Sequence, residues 1–488
     1  MQQLSPLDAS FVYAETARTP MHIGSVAIYD PSTAPGGLVR FKDILAFIES
    51  RLPGARAFRQ RLIRVPLDLD HPYWIEDPEF GLEFHVRHMA LPKPGDARQL
   101  AILAARLHAR PLDMTKPLWE VNVVEGLDNI EALPPGCFAL ILKVHHAAVD
   151  GVSGVEMSNA LHDLERHPAP ASAPDSWKPE NMPRVADLLT RSYLSSLIQP
   201  LRVAETLGRS LPGMSRLGEQ LRKGKVRLPG GRPIPRTRLN GKVGPHRVWA
   251  AVMLPLDEIR AIKDMVPGAT VNDVVLSIVG GGLQAWLSAR GELPSESLTA
   301  MAPISVRSEG EVGTAGNRVS AMVVALGSHI EHPLERLRLV HQDAVNSKAL
   351  TEAVGAKALS ELGQLMPAAL AGLGARLYTE LGLVNTHAPS VNCVVTNVPG
   401  SRLPLYFCGS RMVSMAGMGP VFDGMGLINA VYSYAGLVSL AFTAERDMMP
   451  DPEVYAEGLR SSFDALRDAA AALSAAPRKR RKKEPADV

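Results

Sequence analysis

Two periodicities of apolar and polar positions alternate along the chain. Ile23 to Tyr29 and Phe138 to Val144 are apolar runs of strand length, Leu38 to Leu52 is predicted helical, and Asp96 to Arg110 spaces its leucines and alanines three and four apart before Pro111 stops the helix. The theme returns after Arg247. Strand Arg247 to Leu254, helix Leu256 to Met265, a helical segment Val271 to Arg290, strand Val319 to Leu326, helix Pro333 to Ala349 and strand Val391 to Thr396 are predicted there. Strands interleaved with helices in two similar halves predict the α/β class, with a cleft where the halves meet.

The composition changes at Pro168, where Pro-Ala-Pro-Ala-Ser-Ala-Pro-Asp-Ser begins a polar, proline-rich connector. Beyond it, Val185 to Arg222 reads as broken amphipathic helix, and Pro229 to Pro235 is another loop. The resulting division is 1–170, a crossover 171–245, 246–476 and a basic tail 477–488. Gly424 to Ala444 is uncharged for 21 residues, the length of a membrane span. Polar residues interrupt it, however. Leu427 to Tyr432 and Leu437 to Thr443 are predicted as a buried hairpin around a Ser433-Tyr434-Ala435-Gly436 turn.

A chain of 488 residues exceeds what one core organises, so two domains are expected. The net charge of +2 conceals a polybasic stretch, Arg478 to Lys483, that leaves the body slightly acidic and argues against a nucleic-acid partner. Cys137, Cys393 and Cys408 have neither disulfide-framework nor metal spacing, which fits a reducing cytoplasm. The N-terminus lacks a basic region followed by an apolar run, so no secretory signal is expected.

The segment that carries chemistry is His145-His146-Ala147-Ala148-Val149-Asp150-Gly151, at the end of the apolar strand Ala139 to Val144. Successive strand side chains face opposite ways, so one imidazole can face a cleft while its neighbour packs inward. Spacing alone does not say which. Asp150 and Gly151 read as a turn, and Ser153 with Glu156 fits a capping box for the helix that follows. A histidine pinned there can take a proton from a hydroxyl attacking a thioester and return it to the leaving thiolate. The alternatives are packing, or metal ligation by His145, His146 and Asp150, which the divergence of adjacent strand side chains disfavours. Gly151-Val152-Ser153-Gly154 falls short of a nucleophile elbow.

This segment resembles the His-His-x-x-x-Asp-Gly motif of CoA-dependent acyltransferases, the superfamily of chloramphenicol acetyltransferase and peptide-synthetase condensation domains. Over nearly its whole length the chain is similar, more closely, to the bacterial wax ester synthase/acyl-CoA:diacylglycerol acyltransferase family. The supporting pieces are Leu4-Ser5-Pro6-Leu7-Asp8, Thr19 to Gly24, Pro117-Leu118-Trp119-Glu120, Val271-Asn272-Asp273-Val274, Gly316 to Ser320 and Thr396-Asn397-Val398-Pro399-Gly400.

The resemblance implies two chloramphenicol-acetyltransferase-like domains, each a mixed sheet flanked by helices, with a tunnel between them. It implies His146 as general base, with His145, Asp150 and Gly151 supporting the loop. Asn272 is implied on the facing half as a donor to the developing oxyanion, a helix cap being the alternative; Asp273 and Trp119 are expected to be structural. Acyl-CoA is implied as a substrate, with no permanently bound cofactor and no metal. The implied acceptor is diacylglycerol or a long-chain alcohol, the rival being a non-lipid alcohol or amine. Such substrates imply a cytoplasmic protein held peripherally at the inner membrane face or at lipid droplets.

Overall fold

The structure is a computed structural model that describes residues 1–149, 153–167, 179–195, 197, 234–305, 319–354, 383–386 and 388–475. The first half contains β1 (Gln2–Gln3), α1 (Pro6–Ala14), β2 (His22–Asp30), α2 (Phe41–Arg51), β3 (Gln60–Ile63), β4 (Tyr73–Glu76), α3 (Leu82–His85), β5 (Val86–Ala90), α4 (Ala97–His108), β6 (Trp119–Glu125), β7 (Phe138–His145) and α5 (Ser153–Leu161). Residues 185–195 form a further helix, α6; the rest of the expected amphipathic stretch, the proline-rich connector and the basic tail lie outside the described residues. The second half contains β8 (Arg247–Pro255), α7 (Leu256–Lys263), α8 (Val271–Ser288), β9 (Thr299–Ser305), β10 (Val319–Ala325), α9 (Pro333–Val354), β11 (Cys393–Pro399), β12 (Tyr406–Phe407), β13 (Ser410–Met418), β14 (Leu427–Tyr434), β15 (Leu437–Glu445) and α10 (Pro452–Ala475).

Two six-stranded mixed sheets result, as the α/β expectation required. The first has the order β12-β13-β2-β7-β6-β5, the second β10-β9-β11-β14-β15-β8. Central strands read as unbroken apolar runs because both faces are covered. On β7, Phe138, Leu140 and Val144 join the core that includes Ile44 and Ile48 of α2, while Ala139 and Ile141 pack with Leu100 and Ala104 of α4. Asp96 caps α4 and forms a capping box with Gln99, which sets where that helix starts.

The halves are not separate in strand content. β13 pairs antiparallel with β2, from Arg411 opposite Asp30 to Met418 opposite Gly24, so a strand from 246–476 completes the first sheet. Across the junction, the Trp249 indole N–H donates to the Gly417 carbonyl at 2.9 Å and Arg247 donates to the Arg18 carbonyl at 2.5 Å. The uncharged segment forms the hairpin β14–β15, tighter than expected, with a two-residue turn of Ala435 and Gly436 at φ 45° and 87°. Among the described residues, no helix is long and apolar enough to cross a membrane.

Helix α8 is apolar nearly all round because it is buried on all sides. A Cβ on Gly280 would lie 2.0 Å from the Leu326 carbonyl oxygen, and one on Gly282 2.7 Å from the Leu459 side chain. The glycine run is therefore the surface on which α8 meets the strand end at Leu326 and helix α10. Gly280→Ala is expected to destabilise the fold by about 2 kcal/mol, because backbone cannot yield as a side chain would and the clash outweighs alanine's helix preference of about 1 kcal/mol. Thermal unfolding followed by circular dichroism measures this; an unchanged midpoint would show that α8 is free to shift.

Candidate active site

The expected strand delivers the histidines. His145 is the last residue of β7, paired with His22 of β2, and the chain then turns into a 3-10 turn at His146–Ala148. The change of backbone separates the two rings: His145 is fully buried, while His146 is half-buried. Main-chain bonds pin both positions, since the His145 amide donates to the Leu118 carbonyl at 2.9 Å and the His146 amide to the Met21 carbonyl at 2.8 Å. The segments Pro117 to Glu120 and Thr19 to Gly24 thus converge on this turn.

His145 has a defined tautomer. Its Nδ1 accepts the Ala147 backbone N–H at 3.1 Å, so the proton of the neutral ring resides on Nε2. That nitrogen lies 3.3 Å from Glu15 Oε2, close enough for electrostatic attraction although not aligned as a hydrogen bond. Glu15, just past the end of α1, accepts the Met21 amide through its other oxygen at 3.3 Å. His145 therefore braces the turn from beneath, held by a carboxylate that also fixes the neighbouring strand entry.

The His146 ring stacks on Phe11 of α1, with ring centres 3.8 Å apart and planes 15° from parallel. Burial, assisted by the His145 ring, lowers its pKa to about 4, and its Nδ1 is enclosed without a hydrogen-bond partner among the described residues. At neutral pH the ring is uncharged and free to accept a proton. On the α4 side of β7, the buried Lys143 ammonium donates to the Leu107 and Arg110 carbonyls at 3.1 and 3.0 Å, where the helix end favours positive charge. Burial lowers its pKa to about 8. His22 contacts the His108 carbonyl, and His108 Nε2 lies 3.0 Å from the Gly419 carbonyl, next to β13.

On the second sheet, Thr270 caps α8 and closes a capping box with Asp273, so the cap alternative for Asn272 is overturned: it sits one turn position inside the helix. Asp273 is structural as expected, bound to the Thr270 amide at 2.8 Å and to His341 Nδ1 at 2.9 Å. Trp119 is structural too, its indole N–H donating to the Phe58 carbonyl at 2.8 Å in the core. Asn272 Oδ1 accepts from Asn397 Nδ2 at 3.3 Å, which leaves the Asn272 amide hydrogens for another acceptor. Asp150 and Gly151 lie outside the described residues. Among those described, no three His, Cys, Asp or Glu side chains are placed to hold a metal ion.

Three residues at these positions escaped the sequence reading. Phe11 and Glu15 fall between the two quoted N-terminal pieces, and a lone acid closing an apolar helix was the signal for Glu15. Asn397 was within a quoted piece but carried no role.

Residues 4–275 match the wax ester synthase/diacylglycerol acyltransferase catalytic domain, and residues 315–467 match the C-terminal domain of that family. The chain belongs to the wax ester synthase/diacylglycerol acyltransferase family. A Mycobacterium tuberculosis relative named as a diacylglycerol O-acyltransferase is 34% identical across 95% of this chain and 99% of its own length. A Mycobacterium bovis protein of the same name is 32% identical across 96% of this chain and all of its own.

The solved wax ester synthase/diacylglycerol acyltransferase from Marinobacter aquaeolei VT8 is 26% identical, with a TM-score of 0.66 over 96% of this chain and 100% of that one. The first condensation domain of the calcium-dependent antibiotic synthetase, 14% identical at TM-score 0.56 over 96% and 97% of the two chains, shares the fold. The resemblance read from the motifs and the chloramphenicol-acetyltransferase-like architecture are both borne out. The catalytic-domain match extends through β8 to the start of α8.

In a proton NMR titration, the His146 ring is expected to change state near pH 4 rather than the 6.5 or so of an exposed imidazole. Phe11→Ala should move the midpoint upward by admitting water. A folded-state pKa below the unfolded one means that the stability tied to this ring is complete above about pH 6.5 and is lost as pH falls toward 4. A wild-type midpoint at 6.5 would show the ring to be solvated.

Proposed function

We propose that this protein is an O-acyltransferase that moves a long-chain acyl group from acyl-CoA to diacylglycerol, a long-chain alcohol or both, with His146 as general base. The observation that carries the reading is the neutral, stacked His146 imidazole on a turn anchored to two strands. The acceptor hydroxyl gives its proton to the ring as its oxygen attacks the thioester carbonyl. The tetrahedral intermediate then expels the CoA sulfur, which leaves as a thiol with the proton returned from the imidazolium. Negative charge developing on the intermediate lowers the cost of charging a buried ring, so a low resting pKa does not disable the base.

Asn272 suits the oxyanion: its pairing with Asn397 engages the amide oxygen and points its chemistry toward donation. His145 and Glu15 position the turn without touching substrate, and the motif gives Asp150 and Gly151 a supporting role. Acyl-CoA enters as a substrate, not as a resident cofactor.

His146→Ala is expected to slow free-thiol release from palmitoyl-CoA by about two to four orders of magnitude, with hexadecanol and diacylglycerol assayed in parallel. Glu15→Gln should lower kcat severalfold while KM stays level, since it removes the carboxylate charge that attracts the His145 ring bracing the turn. Retained turnover in His146→Ala would overturn the base assignment.

Water-insoluble acceptors require a lipid surface, and α6 offers a means of contact. Leu188 packs onto Val65 and Tyr73, whereas Val185, Leu189, Tyr193 and Leu194 remain exposed next to the segment bearing exposed Leu67 and Leu69. An apolar patch of this kind suits insertion into a membrane or lipid-droplet interface from the cytoplasmic side. Leu189→Glu with Leu194→Glu is expected to reduce flotation with phosphatidylcholine–diacylglycerol liposomes while leaving the unfolding midpoint intact. Undiminished flotation would remove α6 from the interface.

A further inference from the structure

A large cavity lies where the two halves meet. Its volume is about 1240 Å³, beyond the roughly 300–1,000 Å³ of ordinary small-molecule pockets. Helix α4 forms one wall, α10 the other, and β8 with β13 the floor. None of the described residues of the His145–Gly151 segment contributes.

The chemistry of the lining is divided. Ile28, Ala101, Ala105, Trp249, Ala251 and Ala416 give an apolar floor. β8 is the edge strand of its sheet, and the packing of α4 and α10 beside it bars an added β-strand from the edge. What remains is a slot lined by hydrocarbon, suited to an alkyl chain.

Its rim is cationic. Arg98 and Arg106 on α4 and Arg110 just past its end line the cavity, joined from α10 by Arg460, and they outnumber the lining carboxylates Glu131, Glu453 and Glu457. Arg98 is paired with Glu453 of α10 at 3.4 Å. Arg106, Arg110 and Arg460 make no side-chain ion pair among the described residues, and each is exposed. This charge also disfavours the chain's own basic segments as occupants, because the connector carries Arg202, Arg209, Arg216 and Arg222 and the tail Arg478 to Lys483.

We propose that this cavity is a second lipid site, which takes the alkyl chain of a single-chain anionic amphiphile and holds its carboxylate or phosphate head at Arg106 and Arg110. Because α4 belongs to one half and β8 and α10 to the other, an occupant bridges the halves and stabilises their junction. Binding to the folded protein alone raises the unfolding midpoint with ligand concentration.

The test uses the full chain and four probes below their micelle concentrations: dodecanoate, dodecyl phosphate, dodecanol and dodecyltrimethylammonium, read by calorimetry and by Trp249 fluorescence. Both anions, or one of them, should bind at least tenfold more tightly than the cation and the alcohol, and the better anion identifies the head group. Arg106→Glu with Arg110→Glu should weaken the anions about tenfold or more, as loss of charged hydrogen bonds does, without changing kcat for thiol release. Ala101→Trp, which fills the floor from a partly exposed position, should abolish binding while the unfolding midpoint without ligand stays put.

Equal affinity for anion and cation, or anion binding untouched by the double charge reversal, would overturn the proposal. So would complete displacement of the anion by palmitoyl-CoA in wild type together with loss of thiol release in Ala101→Trp, since the cavity would then belong to the reaction path.

Discussion

The arrangement of this enzyme depends on one strand that belongs to the second half of the chain and lies in the first sheet. β13 pairs with β2 on both sides of a one-residue bulge at Val413, and the other edge of β2 pairs with β7, the strand that ends in His145. Backbone hydrogen bonds of a ladder tolerate no slip of one residue without turning every side chain to the wrong face. The register of β13 on β2 therefore sets how the second half sits against the histidine turn. The contact of His108 with the Gly419 carbonyl and of Trp249 with the Gly417 carbonyl reinforces the same join.

Around the turn, polar groups are buried in an order that separates support from chemistry. His145, Glu15 and Lys143 have their charges or ring nitrogens engaged by backbone groups and by each other, which fixes them in place. His146 is different. It is held by an aromatic face and an amide hydrogen bond rather than by a side-chain partner at Nδ1, so it is rigid yet keeps its capacity to take a proton. The same burial that lowers its basicity also excludes water, and in a dry site the charge formed on the reacting carbonyl acts on the ring with full strength.

Much of the plan could be read from the chain itself. β2, β7, β8, α4 and α8 lie within a residue or two of their predicted bounds, because each has a strong period and some have an explicit stop such as Pro111. The hairpin β14–β15 was legible for the same reason. Less legible were α10 and β13, and the assignment of β13 to the first sheet is a long-range pairing that leaves no local mark. Asn272 shows the limit at the scale of one residue: asparagine is a good cap, but Thr270, two positions earlier, takes that role and frees Asn272 for Asn397.

By itself the sequence determined the class of fold, the positions of the strands and helices, and the paired histidines at a strand end, since these follow from periodicity and from short spacings. It left open which histidine faces outward, and what holds the other. Those were decided by tertiary structure, because Phe11, Glu15 and Met21 reach the turn from a helix and strand more than a hundred residues away, and burial exists only once they arrive. The cationic cavity between α4 and α10 has the same origin: arginines along one helix and just past its end become a rim only when a second helix closes the other side.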